Sequence, residues 1–381
     1  MKLHRFVLAI GIAIQLALVP LFASAQESKL DREKLKTVVQ RGILFLQEKG
    51  QDSDDGSFSK QVSPGVTSIC VAAMLNNGVN RQHPSVVKGL KYIESFVRED
   101  GGIHAEESGL KNYETSLAVL ALTAANNDGA YDETINKAVA FLKNLQWDQA
   151  EGHDESSSFY GGQGYGSGKR PDASNTGFFI EAMKAAGEDP ESEAMQRALT
   201  FMSRCQNLQS DHNNAGFALK TTPEDSGGFI YSPANNGESK AGESPDGGLR
   251  SYGSMTYTGL KSFLYAGVKG DDIRVQAAKD WIRRHYTLKT NPGMGDQGLY
   301  YYYHVFAKAL DAAGDSMIED SDGTAHDWRV DFIEEIASRQ LPDGSWVNAA
   351  DRWYEGDPNL VTAYVLMALS HVTPDTEEGA K

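Results

Sequence analysis

One unit recurs along this chain, and a chain built of such units can fold in few ways. Its clearest copy is the last: helical periodicity over Trp328 to Gln340, with Val330, Ile333, Ile336 and Ala337 on one stripe, then the turn Pro342-Asp343-Gly344-Ser345-Trp346, then a second helical run from Leu360 to Leu369. The first copy pairs Leu35 to Gln47 with Val66 to Leu75 through Asp55-Gly56-Ser57-Phe58. The second pairs Val86 to Phe96 with Tyr113 to Ala125 through Asp100-Gly101-Gly102-Ile103. Three longer copies follow: Ile135 to Leu145 with Asn175 to Ala186, Ala194 to Cys205 with Ser254 to Ala266, and a helix from Ile273 to about His285 with Tyr301 to Ala313. A lone helical hairpin cannot bury its apolar face, so units repeating every ~45 to 80 residues must stack. Six pairs suit closure. The expected fold is all-α, an (α/α)6 toroid of six helical hairpins in two concentric layers, with the second helix of each pair innermost.

The units resemble the repeats of the terpenoid cyclase and protein prenyltransferase families, the squalene cyclase-like, prenyltransferase and squalene oxidase repeats. In those families a Gln ends the outer helix and a Gly-x-Trp or Gly-x-Phe turn follows. Gln47 before Gly56-Ser57-Phe58 and Gln340 before Gly344-Ser345-Trp346 carry the resemblance, the other copies being degenerate, and it extends from Leu35 to Ser370. It implies the toroid and a hydrophobic, isoprenoid-like ligand, whereas a fold alone does not name a reaction. The family's chemistry is poorly matched. Asp52-Ser53-Asp54-Asp55 fits the Asp-x-Asp-Asp acid motif of squalene-type cyclases, yet it runs into the interhelical turn, where carboxylates are solvated. Tyr303-His304 is similar to the pair that carries the prenyltransferase zinc histidine, but no Asp-x-Cys accompanies it, so neither metal nor cofactor is expected.

Before the repeats lie a basic Met1 to Arg5, an apolar Phe6 to Phe22 and the small residues Ala23-Ser24-Ala25. They read as a signal peptide over 1–25, giving an exported protein, periplasmic or extracellular. Residues 26–381 are expected to form a single toroid domain with a long loop at 207–250, whose Asn235 to Asp246 reads as a mobile lid. The formal charge of −16 becomes more negative still once Lys2 and Arg5 are removed, which argues against nucleic acid as a partner. Cys70 and Cys205 fall nearly opposite each other in a six-unit ring, so both are expected to be free, buried thiols. No phosphate-binding Gly-x-x-x-x-Gly-Lys loop or Gly-x-Ser-x-Gly elbow occurs, and Asp320-Ser321-Asp322-Gly323 lacks EF-hand spacing.

In a ring of like units, equivalent positions point to the same end of the axis. Tyr113, Glu114, Asn175, Tyr257, Tyr303, His304, Trp353 and Asp357 lie in or just before second helices, and they are expected to converge on one mouth as ligand-binding residues. Catalytic residues stay unassigned. The favoured function is an atypical prenyltransferase/squalene cyclase repeat protein holding an isoprenoid or other hydrophobic ligand. Two alternatives stay open: a carbohydrate-active protein, glycosidase- or polysaccharide lyase-like, with Glu114 and Asp357 as candidate carboxylates, or a non-catalytic scaffold for another exported protein.

Overall fold

A computed structural model of the protein describes residues 30–372 except 167 and 169; the signal peptide expected over 1–25 lies outside them. Twelve α-helices occur among these residues: α1 Arg32–Phe45, α2 Pro64–Asn76, α3 Pro84–Glu94, α4 Lys111–Ala125, α5 Asp132–Asn144, α6 Ala173–Ala185, α7 Glu193–Arg204, α8 Gly253–Tyr265, α9 Ile273–Arg284, α10 Leu299–Ala313, α11 Trp328–Arg339 and α12 Pro358–Leu369. The even-numbered helices form a closed inner ring, each touching the next and α12 touching α2. The odd-numbered helices lie outside, and α1 packs on both α11 and α12, so the last unit meets the first. The predicted toroid is the observed one.

Sequence pattern dictates the layers. Outer helices bury single stripes, such as Val86, Gly89, Leu90 and Ile93 on α3 or Val275, Ala278 and Ile282 on α9. Inner helices are apolar nearly all round, as in the buried run Leu117 to Leu122 of α4, because they are covered by two inner neighbours and the outer layer. Both cysteines are buried and unpaired, and the Cys70 thiol faces the carbonyl of Asn359.

Three contacts hold the hairpins in register. A glutamine after the outer helix donates to the carbonyl of the turn glycine and to a carbonyl of the next outer helix. Gln51 bonds Gly56 and Ser85, Gln146 bonds Gly161 and Ala194, Gln206 bonds Gly227 and Arg274, and Gln340 bonds Gly344 and Val38, all at 2.8–3.0 Å. The turn glycines Gly56, Gly101, Gly161, Gly227 and Gly344 have φ between 77° and 95° and lie so close to the next outer helix that a Cβ would meet its backbone. Next, the backbone N–H two residues beyond each of these glycines donates to a threonine on the inner helix: Thr67, Thr115, Thr176, Thr256 and Thr362.

Two readings of the sequence are corrected here. Gln51, not Gln47, clamps the first turn, because a wider helical turn over Leu46–Gly50 prolongs α1 and carries the clamp four residues onward. Nor are the third and fourth copies degenerate: Gln146 and Gln206 clamp glycines 15 and 21 residues downstream. In the second repeat Val97 takes the glutamine's place, pairing with Ile103 as Gln51 pairs with Phe58. The fifth repeat has neither clamp nor threonine, and an unanticipated two-stranded hairpin, β1 Met317–Glu319 and β2 Ala325–Asp327, follows its inner helix.

The loop 207–250 is folded. Phe217, Ala218, Ile230 and Leu249 form a small core of their own, and Asn207 ties the loop's two ends by bonding the Leu249 carbonyl and Ser251 Oγ.

Candidate ligand-binding site

All six inner helices begin at the same end of the ring, and their first turns surround a cavity of about 280 Å³. Five of those N-termini are capped by a side chain, and α4 is the exception. Ser63 accepts from Gly65 N, Asp172 from Asn175 N, Asn291 from Ser254 N and Asp357 from Leu360 N. The cap of α10 comes from another repeat: Glu355 Oε1 accepts from Tyr301 N at 2.7 Å, while Oε2 accepts from Asn348 at 2.7 Å.

Nine aromatic side chains line the cavity: Tyr113, Tyr165, Phe178, Tyr231, Tyr252, Tyr301, Trp353, Tyr354 and Tyr364. Four of them close its floor. Tyr113 meets Phe178 edge-on at 5.1 Å, its hydroxyl lies 3.2 Å from that of Tyr364, and Tyr301 stands 5.9 Å from both Phe178 and Tyr364. At the opening Trp353 and Tyr354 are exposed and left-handed, with φ of 61° and 63°. Two consecutive non-glycine residues in that region cost about 1–3 kcal/mol each. They turn the chain so that Glu355 enters the wall beneath them.

Two carboxylates here are held above their usual range. Burial pushes Glu355 up to about 7 against the hydrogen bonds from Asn348 and the α10 backbone, and pushes Asp172, behind Asn175, up to about 6. Beneath the floor lies a buried ionic layer in which Lys261 and Lys308 both contact Glu181, and Lys308 Nζ is 3.3 Å from His304 Nε2. Burial, reinforced by Lys308, holds the His304 imidazole well below its ordinary value, so it is neutral.

Of the eight residues expected at the mouth, Tyr113, Asn175 and Trp353 line the cavity. The expected convergence does not extend to the other five. Glu114 turns away to accept from Ser63 Oγ and Ala105 N; Tyr257 packs on Tyr302 and Phe306; Tyr303 donates to the Leu288 carbonyl. His304 is below the floor, and Asp357 caps α12. Helical phase is the reason, since neighbouring residues point about 100° apart. In four inner helices the threonine marks that phase: it faces the turn, and the residue two places before it faces the cavity, as with Tyr113, Ser174, Ser254 and Leu360. Tyr301 takes this inward place in the fifth repeat, where Tyr303 replaces the threonine, and Phe178 and Tyr364 lie two places after theirs. That register was the available signal for the missed wall residues. Nothing comparable marked Glu355.

The acid-motif match lies elsewhere. Asp52 and Asp55 form ion pairs with Lys60 at 3.1 and 2.8 Å on the exposed turn, and hydrogen bonds from Lys60 and Ser57 hold Asp55 down at about 2. Among the described residues no group of three or more His, Cys, Asp or Glu side chains could hold a metal.

Comparison with known proteins agrees with the architecture. Residues 52–225 match the family described as the squalene-hopene cyclase C-terminal domain. The type II terpene cyclase MstE from Scytonema, solved as its R337A variant with geranylgeranyl dihydroxybenzoate, superposes with a TM-score of 0.54 at 13% identity, over 89% of this chain and 97% of that one. A possible member of the GH105 family from Salmonella enterica serovar Paratyphi A superposes with a TM-score of 0.52 at 12% identity, over 94% and 98%. No curated protein matches the chain in sequence. At such identities the likeness establishes a shared fold.

Proposed function

We propose that this terpenoid-cyclase-like toroid is an exported protein that binds a small hydrophobic ligand, isoprenoid-like in character, in the mouth of its inner ring. The observation that carries the reading is the cavity wall of nine aromatic side chains drawn from the last five repeats and the loop 207–250. Such a wall offers apolar area and π faces with few polar groups to satisfy, as ligand sites generally do. Tyr113, Asn175 and Trp353 would touch the ligand, while Glu114, Tyr257, Tyr303, His304 and Asp357 would hold the wall in place. Export rests on the residues 1–25, and binding without turnover fits the exposed position of Asp52 and Asp55.

A carbohydrate ligand is the second reading, favoured by the exposed Trp353 and Tyr354 and by two buried carboxylates, Glu355 in the wall and Asp172 behind it. Mass spectrometry of organic extracts from the protein purified from its own host separates the two. An apolar molecule at near one equivalent is expected. An empty extract together with a glycan-array signal abolished by Trp353→Ala would replace the first reading with the second.

A further inference from the structure

The rim of the cavity runs against the charge of the whole molecule. In a chain of net charge −16, three cations from three separate segments stand over rings of the cavity wall, near enough that both guanidiniums act on the lysine: Arg170 before α6, Lys240 in the loop 207–250 and Arg352 before α12. Arg170 and Lys240 lie over the same ring of Tyr231, at 5.3 and 4.5 Å, and Arg352 lies 4.3 Å over the ring of Trp353. Both rings belong to the cavity wall. The charge is incompletely answered. Among the described residues Arg170 and Lys240 share a single carboxylate, Glu238, and the polar partner of Arg352 is the neutral amide of Gln297.

Like charges repel, so three cations at one rim carry a cost of mutual repulsion that Glu238 and the two aromatic rings offset in part. Lys240 shows this cost. Even with Glu238 in contact, burial and the guanidiniums of Arg170 and Arg352 depress its ammonium below the ordinary value. An anion seated among the three would remove the repulsion, and guanidinium forks suit carboxylate and phosphate oxygens.

We propose that the Arg170, Lys240 and Arg352 edge is a headgroup site, and that the ligand is an amphiphile whose apolar chain enters the aromatic cavity while its carboxylate or phosphate stays at the rim. This rests on the hydrophobic-ligand reading and adds the ligand's charge to it. The groups opposing an anion are Glu238 at the rim, Glu355 in the wall and Asp172 behind Asn175. Because Glu355 and Asp172 lose their charge as pH falls through about 7 and about 6, affinity for the anion rises over that window.

The test compares decanoate, decanol and decylammonium, followed by Trp fluorescence and calorimetry, with inorganic phosphate as a headgroup without a chain. Decanoate should bind about ten-fold tighter than decanol at low salt, and decylammonium weakest. The preference should shrink at high ionic strength and disappear in the folded double variant Lys240→Gln/Arg352→Gln, decanoate then binding no tighter than decanol. Equal binding of decanoate and decanol, or a preference for the amine, overturns the headgroup site and leaves the cavity reading standing. Binding of phosphate alone, lost in the double variant, supports the headgroup site even where decanol fails and the cavity reading falls. If neither phosphate nor any chain binds, both fall.

Discussion

The regular turns and the loops of the mouth lie at the same end of the toroid, yet they are built on opposite terms. In five repeats the turn repeats one solution: a left-handed glycine pressed on the next outer helix and an N–H given to a threonine, with a glutamine clamp in four of them. The mouth repeats nothing. Trp353 and Tyr354 are strained and exposed, Glu355 is a buried carboxylate capping a helix of another repeat, and Tyr231 comes from a loop no other repeat has. Regularity therefore marks what closes the ring, and irregularity marks what the ring presents.

The largest effect is expected at a turn glycine. Gly152 and Gly161 belong to the same repeat and share a φ of 80°, but a Cβ on Gly161 would lie 1.8 Å from the Arg197 carbonyl, whereas one on Gly152 meets nothing within 4 Å. Gly161→Ala should cost about 3–5 kcal/mol in urea unfolding, combining backbone strain with overpacking, and Gly152→Ala about 1 kcal/mol. Equal losses would show that the close approach adds nothing to the left-handed conformation.

Ring closure can be opened at Gln340, whose amide joins the last turn to the Val38 carbonyl of α1. Gln340→Ala leaves two carbonyls short of a donor and should cost about 1–3 kcal/mol. Hydrogen exchange should quicken in α1 and α11 together. Faster exchange in α11 alone would mean that closure does not pass through this residue.

Glu355 gives the mouth a signature in pH. Its carboxyl rises from 4.5 to about 7 on folding, so the folded chain holds the proton more tightly than the unfolded chain. Stability contributed by the protonated form is complete below about 4.5, falls as pH climbs through about 7, and amounts to about 3 kcal/mol. Asp172 adds a lower window, from 3.8 to about 6. Glu355→Gln, which resembles the protonated acid, should flatten the upper part of the stability profile and leave the lower. An unchanged slope between pH 6 and 7 would place Glu355 in a better solvated setting.

How far the sequence disclosed this molecule follows the same division. Periodicity and glycine turns exposed the helices because burial on a ring demands both, and the terminal copies, with Gln, Gly and aromatic close together, were the easiest to read. Gln146 and Gln206 escaped because insertions part them from their glycines, although geometry brings each pair to one bond. At the site, repeat position indicated the correct end of the ring but not which side of each helix faces inward. Tyr303 and His304 were therefore favoured where Tyr301 is the residue in the wall. Glu355 was invisible, since its burial depends on two left-handed residues and on a helix start more than fifty residues earlier in the chain.

The smallest effect on stability should accompany a clear effect on binding, at Trp353. Its side chain is 41% exposed, packing on Gly298 and under Arg352, while its backbone holds φ of 61°. Trp353→Gly removes that packing and the left-handed strain together, and two opposing effects of about 1 kcal/mol each nearly cancel, leaving the unfolding midpoint almost unmoved. Ligand affinity should fall about two- to ten-fold, since taking one aromatic ring out of a cavity wall costs about 0.5–1.5 kcal/mol of binding. Trp353→Ala keeps the strain without the ring, so it should bind as weakly as the glycine variant while being less stable by about 1 kcal/mol. A ligand that binds both variants as tightly as the parent would confine recognition to the floor formed by Tyr113, Phe178, Tyr301 and Tyr364. The mouth's irregular loops would then serve to cap α10 alone.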